Sequence, residues 1–170
     1  MNDTAHFIQS SLRENVLEHI FVGELLRTLW VHLRHDIEIL RAEVDSAGYD
    51  LVLECNGVLR HVQLKTSYRG SKTSSVNVNA KIADKPCGCV IWIEFDPASL
   101  EMNGFRWLGG RPKEPILSLG DRIGRHTRGD RTGKRGARPN IRVLSKSKFE
   151  SLRTMNEVVE KLFGSIRRVG

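Results

Sequence analysis

Long apolar runs are the first feature that the sequence lacks. No stretch of its 170 residues approaches the about 18 to 20 consecutive apolar residues that cross a membrane. The N-terminus also lacks the basic region and the uninterrupted apolar stretch of a signal peptide. These two absences predict a cytoplasmic protein that has no membrane partner.

Cysteine is scarce as well. The complete set is Cys55, Cys87 and Cys89. An odd number with one Cys-x-Cys pair favours reduced thiols buried in strands, because a zinc site would need distant histidines to join that pair. The chain is 39% hydrophobic and 28% charged, which is typical of a soluble protein. We expect one domain over residues 1 to 170, with a core over about 8 to 96 and an extension over about 97 to 170.

Acidic residues are nearly absent from residues 122 to 138. Seven Lys and Arg residues accompany one Asp there, so this basic segment carries a net charge of +6 in a chain of net charge +7. It is rich in glycine, shows no helix or strand period and contains no aromatic side chain to stack on bases. We therefore predict a mobile cationic loop that contacts a nucleic-acid backbone. The candidate phosphate-binding residues are Arg122, Arg125, His126, Arg128, Arg131, Lys134, Arg135 and Arg138. The alternatives are a solvated surface loop and a contact for an acidic protein.

Asn56 and Gly57 predict a two-residue hairpin turn, because both positions tolerate a positive φ and strand-like residues flank them. Alternate side chains of the two strands are mostly apolar and are predicted to cover a core. Paired residue numbers sum to 113, so Asp50 lies opposite Gln63. Lys65 is two residues further from the turn than Gln63 and therefore lies on the same face. Cross-strand neighbours have Cβ atoms about 4.5 to 5.5 Å apart, so we expect a carboxylate, an amide and an ammonium group to cluster.

This cluster resembles the site of the PD-(D/E)XK nuclease superfamily, the restriction-endonuclease-like enzymes that include archaeal-type junction resolvases. In that family an Asp begins one strand, and an acid-x-Lys tripeptide lies on the next. The matching residues here are Asp50 and Gln63-Leu64-Lys65. Tyr49 stands where the nominal Pro would be, and Gln63 stands where an acid is usual. The resemblance implies an α/β fold with an α-β-β-β-α-β core, in which helices flank a mixed central sheet.

The resemblance also implies an acid on a preceding helix. Apolar residues recur at three- and four-residue steps over about residues 8 to 35 and reach around most of the helix, which we expect to be substantially buried. Glu24 follows Ile20 and Phe21 on this helix and is the predicted fourth site residue. Its alternatives are an ion pair with Arg27 and an exposed edge position.

The remaining strands and the last helix are predicted from other segments of the sequence. Residues 37 to 44 have strand character, residues 76 to 83 read as a strand or a short helix, and residues 89 to 95 form an apolar run typical of a buried strand. Further strands are predicted at 105 to 108 and at 140 to 144. A final helix is predicted over 147 to 163, with Ser147 and Glu150 as its capping box and Gly164 as its stop. Its apolar side is predicted to pack on the core or, as a secondary possibility, against a second copy.

Together these expectations predict a metal-dependent endonuclease that hydrolyses phosphodiester bonds, with DNA as the expected substrate. In this hypothesis Asp50, the side-chain oxygen of Gln63 and the Leu64 carbonyl bind Mg²⁺ or Mn²⁺, and Glu24 acts through a metal-bound water. Lys65 would orient the attacking water and offset charge on the phosphate. An amide is a poorer ligand for Mg²⁺ than a carboxylate. The alternatives are therefore an inactive nuclease-fold protein that binds nucleic acid and a basic protein-interaction module.

Overall fold

A mixed six-stranded sheet forms the centre of the computed structural model, which describes residues 10 to 33, 36 to 44, 47 to 126, 133 and 135 to 165. The described strands are β1 Glu38–Arg41, β2 Leu51–Cys55, β3 Val58–Tyr68, β4 Ser75–Asn79, β5 Gly88–Phe95, β6 Met102–Gly109, β7 Ile123–Arg125, β8 Ala137–Ser145 and β9 Glu150–Leu152. The central sheet has the order β1-β2-β3-β5-β6-β9, and β4, β8 and β7 form a second sheet of three strands.

Two α-helices occur in the described ranges. Helix α1 spans Ser10–Thr28 and continues as a π-helical turn over Leu29–Leu33, while α2 spans Met155–Phe163. Both pack on one face of the central sheet, where Phe21 and Leu25 of α1 meet strand residues such as Leu53. No helix in the described part of the chain is long and apolar enough to cross a bilayer.

The three-stranded sheet covers the other face of the central sheet. Val78 of β4 and Leu144 of β8 contribute to a second core with Val90 and Trp92 of β5. Strand β5 is therefore covered on both sides and is almost entirely buried, as its apolar run predicts. The fold is a mixed α/β fold with three layers, and the expected mixed central sheet is confirmed.

The predicted hairpin is present with the expected register. Asn56 and Gly57 have φ values of 52° and 69° and form the turn. Strand β2 pairs with β3 from Cys55 opposite Val58 to Leu51 opposite Val62. Every pair sums to 113, because a two-residue turn leaves no freedom in the register.

The crossover between the parallel strands β3 and β5 differs from the implied core. Instead of an α-helix it contains β4 followed by a short 3-10 helix over Ala80–Asp84, so residues 76 to 83 combine both predicted alternatives. The 3-10 helix lies against the start of β5, where a Cβ on Gly88 would meet the Ile82 carbonyl oxygen at 2.0 Å. Only glycine fits at position 88, because the 3-10 helix lies so close to the start of β5.

The C-terminal helix begins later than predicted. Residues 150 to 152 form β9 and pair with β6 at the edge of the central sheet. The helix starts at Met155, and its capping box is formed by Thr154 and Glu157, not by Ser147 and Glu150. Pairing with a strand edge outweighs the local capping signal at Ser147. Gly164 ends the helix as predicted, and the predicted strands at 105 to 108 and 140 to 144 are present within β6 and β8.

All three cysteines are free and buried, as predicted, but Cys87 lies in the turn before β5 and not in a strand. Burial raises the pKa of the Cys89 thiol to about 12. The thiol therefore stays protonated at neutral pH, and a protonated thiol is a poor metal ligand.

Arg60 ties the central sheet to the end of α2. Its guanidinium is fully buried, and Nε donates to the Leu162 carbonyl at 2.7 Å. Nη2 donates to the carbonyls of Gly110 and Lys161. Lys161 and Leu162 belong to the last turn of α2, whose carbonyls lack helical partners, so Arg60 caps this helix from β3. Burial lowers the pKa of Arg60, although the group remains charged.

We expect Arg60→Ala to lower the free energy of unfolding by about 3 to 5 kcal/mol, because it leaves buried carbonyls without donors and opens a cavity. The matched control is Arg111→Ala, which removes an exposed guanidinium and should change stability by less than about 0.5 kcal/mol. Urea unfolding followed by circular dichroism measures both. Equal stability of the two variants would contradict the capping role.

Candidate functional site

One pocket of about 290 Å³ opens between α1 and the central sheet. Its walls combine acidic, basic and backbone groups from four segments of the chain. The lining residues are Glu14, Asn15 and Glu18 from α1, Asp50, then Leu64, Lys65 and Thr66 from β3, and Ile93 from β5.

The pocket exists because β3 is longer than its partner β2. Strand β2 pairs with β3 only as far as Val62, so the remaining residues of β3 have no neighbouring strand on that side in the described part of the chain. Asp50 lies at the point where the pairing ends. Its Oδ2 accepts a hydrogen bond of 2.6 Å from the Leu64 amide, in the place where a strand carbonyl would otherwise accept it.

This hydrogen bond also locates the Leu64 carbonyl. In a regular strand the N–H and C=O of one residue face the same edge, so the Leu64 carbonyl faces the open edge beside Asp50. Lys65 follows on β3 and also lines this pocket, although its half-buried side chain leaves the strand on the same face as that of Gln63. The structure therefore brings together three of the residues predicted from the sequence, namely Asp50, Leu64 and Lys65.

Two acids of α1 complete the pocket, and the sequence reasoning missed them. Glu14 and Glu18 are four residues apart, so their side chains project from one side of the helix. That side also carries the buried Leu17 and Phe21. Both acids lie at helical spacing from these two core residues, and this spacing could have identified them from the sequence. Glu18 also forms an ion pair with Arg41 of β1, with Oε1 3.4 Å from Nε.

Glu24, the predicted helical acid, lies outside this pocket. It is six residues beyond Glu18, which is about 9 Å along the helix axis. Its Oε2 accepts hydrogen bonds from Arg27 Nε and Nη2, the shorter at 2.6 Å. The ion pair with Arg27 that the sequence offered as the alternative is the arrangement observed, and Glu24 faces a separate depression beside β6.

Gln63 is also not part of the pocket. Its side chain is 1% exposed, and Oε1 accepts a hydrogen bond of 2.9 Å from the Asn79 amide. Because side chains alternate along β3, Gln63 projects toward the three-stranded sheet, where Asn79 ends β4. The amide of Gln63 thus joins the two sheets.

The donor groups of the pocket suit a hard cation in part. The lining residues include three acids and one lysine, a net formal charge of two negative units, together with the Leu64 carbonyl. Among the described residues, no three His, Cys, Asp or Glu side chains are close enough to hold a metal ion by themselves. Mg²⁺ keeps several waters and is usually held by one or two carboxylates together with substrate phosphates. This arrangement therefore fits Mg²⁺ better than a metal ion that takes all its ligands from the protein.

His61 is a structural residue on the other face of the sheet. Its ring meets the Tyr49 ring edge-on, with centroids 5.0 Å apart. Burial, assisted by the charge of Lys85, lowers the pKa of His61. This shift favours the neutral form of the ring, which does not line the acidic pocket.

The basic segment is more ordered at its ends than predicted. Residues 123 to 125 form β7 and residues from 137 onward belong to β8, so the prediction of a loop without strands is wrong there. Arg128, Arg131 and Lys134 lie outside the described residues. The described candidate residues Arg122, Arg125, His126, Arg135 and Arg138 are all exposed.

These two strands form a cationic ribbon at the end of the three-stranded sheet. Arg125 pairs with Ala137, and Gly124 pairs with Arg138. Strand β4 pairs with β8 only from Ile141 onward, so the first residues of β8 pair with β7 alone and the ribbon extends beyond β4. Ile141 packs over Gly124, where a Cβ would meet its side chain at 2.7 Å. This contact anchors the base of the ribbon.

Comparison with known proteins gives a distant structural match. Neither a scan against protein-family models nor a search of the curated proteins found a match. A search of solved structures matched a bacterial homing endonuclease, I-Ssp6803I, with a TM-score of 0.38 and 19% sequence identity over 74% of this chain and 85% of that chain. At this TM-score the match assigns neither the fold nor the function.

We expect Asp50→Ala to lower the free energy of unfolding by about 1 to 3 kcal/mol, because the Leu64 amide loses its acceptor. Asp50→Asn keeps an acceptor oxygen of similar size and should retain most of the stability. Urea unfolding of both variants, with hydrogen exchange of the Leu64 amide, measures the difference. Unchanged protection of that amide in Asp50→Ala would show that the bond does not hold the strand edge.

Proposed function

We propose that the protein is a metal-dependent nuclease that hydrolyses phosphodiester bonds, with DNA as the expected substrate. The observation that supports this most is the convergence of Asp50, the Leu64 carbonyl, Lys65 and two helical carboxylates on one pocket. Phosphoryl transfer needs little covalent chemistry from the protein, and it depends mainly on positioning and on the stabilisation of charge. Oxygen ligands beside an ammonium group supply both.

In this proposal Asp50 and the Leu64 carbonyl would hold a divalent cation, Mg²⁺ or Mn²⁺, and Glu14 and Glu18 would add negative charge beside it. The hydrogen bond from the Leu64 amide orients the Asp50 carboxylate at the edge of the pocket. When bound, the cation would lower the pKa of a coordinated water and neutralise charge on the scissile phosphate. Neither Gln63 nor Glu24 belongs to this ligand set, because both are held elsewhere.

Lys65 would supply the positive charge of the site, because its long side chain lies next to the open edge of β3. Its ammonium group can donate to a phosphate oxygen or to the attacking water, which offsets the negative charge that develops during hydrolysis. A partly buried ammonium group acts in a medium of lower dielectric than water, so this stabilisation is larger than at the surface.

The cationic ribbon is proposed to hold the flanking nucleic-acid backbone. Arg125, Arg135 and Arg138 are exposed cations on or next to two paired strands. Each cation that neutralises a phosphate releases counterions, so binding should weaken steeply with salt. A two-stranded ribbon also has dimensions that the major groove of duplex DNA accepts.

A second candidate function is binding of nucleic acid without cleavage. The position of Gln63 favours it, because the residue that matches the acid of the nuclease tripeptide is buried against Asn79. The loss of one ligand from the pocket would weaken metal binding and leave the ribbon intact.

We expect Mg²⁺- or Mn²⁺-dependent cleavage of DNA by the purified protein, and a loss of at least about 100-fold in the cleavage rate in Lys65→Ala. Lys72→Ala is the matched control, since Lys72 is an exposed lysine in the loop after β3 and should retain full activity. Rates are measured on duplex, single-stranded and branched substrates with and without a chelator.

Glutamate variants test the ligand set in the same assay. Glu14→Gln and Glu18→Gln should each lower cleavage by about 10- to 100-fold, while Glu24→Gln should not. Binding without cleavage by the wild type favours the second candidate. Absence of metal-dependent cleavage on all three substrates, together with absence of binding, excludes both functions.

Neutralising Arg125, Arg135 and Arg138 together should reduce the slope of log affinity against log salt by about 2.7, because each lost phosphate contact contributes about 0.9 for duplex DNA. The matched control neutralises Arg69, Arg111 and Arg153, three exposed arginines away from the ribbon. Fluorescence anisotropy over a range of salt concentrations gives both slopes. An unchanged slope in the ribbon variant contradicts the proposed contact.

A further inference from the structure

Strand β8 contains a bulge at the base of the cationic ribbon. Between two neighbouring pairs of the ribbon, β7 advances from Ile123 to Gly124, while β8 runs from Arg142 back to Arg138. Residues 139 to 141 are therefore additional to the register with β7, and we call them the β8 bulge. A β-bulge usually inserts a single residue, and bulges often re-aim a side chain beside a functional site.

Pro139 and Asn140 form the crest of the β8 bulge. Strand β4 pairs with β8 only from Ile141 onward, so these two residues have no partner in either register. Both are exposed. Within the part of the chain that the structure describes, the side chain of Asn140 makes no hydrogen bond. The crest therefore presents an amide whose carbonyl acceptor and two N–H donors are available to a ligand.

Arg142 fixes the shape of the bulge. Its Nη1 donates to the Pro139 carbonyl at 2.6 Å and, more weakly, to the Ile141 carbonyl at 3.5 Å. These contacts stand in for strand hydrogen bonds that the bulged backbone lacks. Arg142 is half-buried, whereas the ribbon cations Arg125 and Arg138 are exposed. Its guanidinium thus holds the strand, and the exposed cations remain for phosphate.

Two further features stiffen the bulge. Ile141 packs on β7 at Gly124, where a Cβ would lie 2.7 Å from the Cγ2 atom of Ile141. The ring of Pro139 fixes its φ at about −65°. A side chain on a backbone that is already rigid loses little conformational entropy when it binds. This restraint favours a recognition role for Asn140 over an ordinary surface bend.

The bulge lies beside the cations that contact the nucleic-acid backbone in the proposed function. Arg138 directly precedes Pro139, and its partner Gly124 is followed by Arg125. Phosphate contacts set the position of a ribbon in the major groove, and the side chains between them reach base edges. Asparagine is suited to such an edge, because its amide can form two hydrogen bonds with adenine.

We propose that Asn140 is a specificity-determining residue that reads one A·T base pair in the major groove, and that Arg142 is its positioning residue. The Asn140 amide donates to adenine N7, and its carbonyl oxygen accepts from the adenine N6 amino group. This proposal rests on the proposed binding of duplex DNA by the ribbon. It adds a sequence preference to that backbone contact.

Selection from a pool of randomised duplexes, in the presence of a chelator, identifies the sequence that the full chain binds best. Fluorescence anisotropy then compares this duplex with one in which a single A·T pair is replaced by G·C. The wild type should bind the replaced duplex about 5- to 100-fold more weakly, which is the usual cost of one mismatched base pair.

Asn140→Ala should bind the two duplexes within about twofold of each other, with an unchanged salt slope, because the lost contact carries no charge. The matched control is Asn103→Ala. Asn103 is an exposed asparagine of β6 in the central sheet, and its variant should discriminate like the wild type.

Arg142→Lys tests the positioning role. Lysine keeps the charge but lacks the planar fork of donors that holds the bulge, so discrimination should fall to the level of Asn140→Ala. The double variant should lose no more, because both changes remove the same contact. Urea unfolding followed by circular dichroism measures the stability of each variant. A lower stability of Arg142→Lys with full discrimination would show a merely structural role and overturn the positioning.

The outcomes separate this proposal from the proposed function. Salt-dependent binding by the wild type without any sequence preference overturns the reading of a base and leaves the ribbon contact intact. A preference that survives in Asn140→Ala, or that involves G·C pairs only, also overturns it. Absence of binding to every duplex overturns both.

Discussion

The parallel pairing of β3 with β5 is the constraint on which the rest of the structure depends. A parallel pair needs a crossover, and the crossover carries β4 and the 3-10 helix onto the face opposite α1. Both faces of the central sheet are then covered, which is why β5 is apolar on both sides. Since side chains alternate along β3, the same pairing decides which of its residues meet helix α1 and which meet the second sheet.

The acidic pocket follows from a mismatch of strand lengths. Strand β3 has eleven residues and its partner β2 has five, so part of β3 has a free edge within the described fold. Asp50 closes the end of the ladder with a carboxylate in place of a backbone carbonyl. An open strand edge would otherwise be a liability, but here α1 crosses over it and supplies two further acids.

Helix α1 has two different faces. One side is apolar beside the sheet and acidic at the pocket, and the outward side carries exposed apolar residues. Apolar residues all round a helix usually indicate burial within one chain, and the sequence predicted this for α1. The structure contradicts that prediction, because Leu12, Val16, Leu26 and Trp30 are exposed.

The hairpin register was predictable from the sequence alone, because a two-residue turn at Asn56 and Gly57 fixes every pair by counting. Counting also placed Asp50 opposite Gln63, with Lys65 next on the same face of β3. Only the tertiary structure decided that Gln63 joins the second sheet, that Glu24 pairs with Arg27, and that Glu14 and Glu18 reach the pocket. Local turn geometry is encoded over a few residues, whereas the position of a helix along a sheet depends on packing between distant segments. Sequence periodicity specifies the buried side of α1 but not which turn of it lies over Asp50.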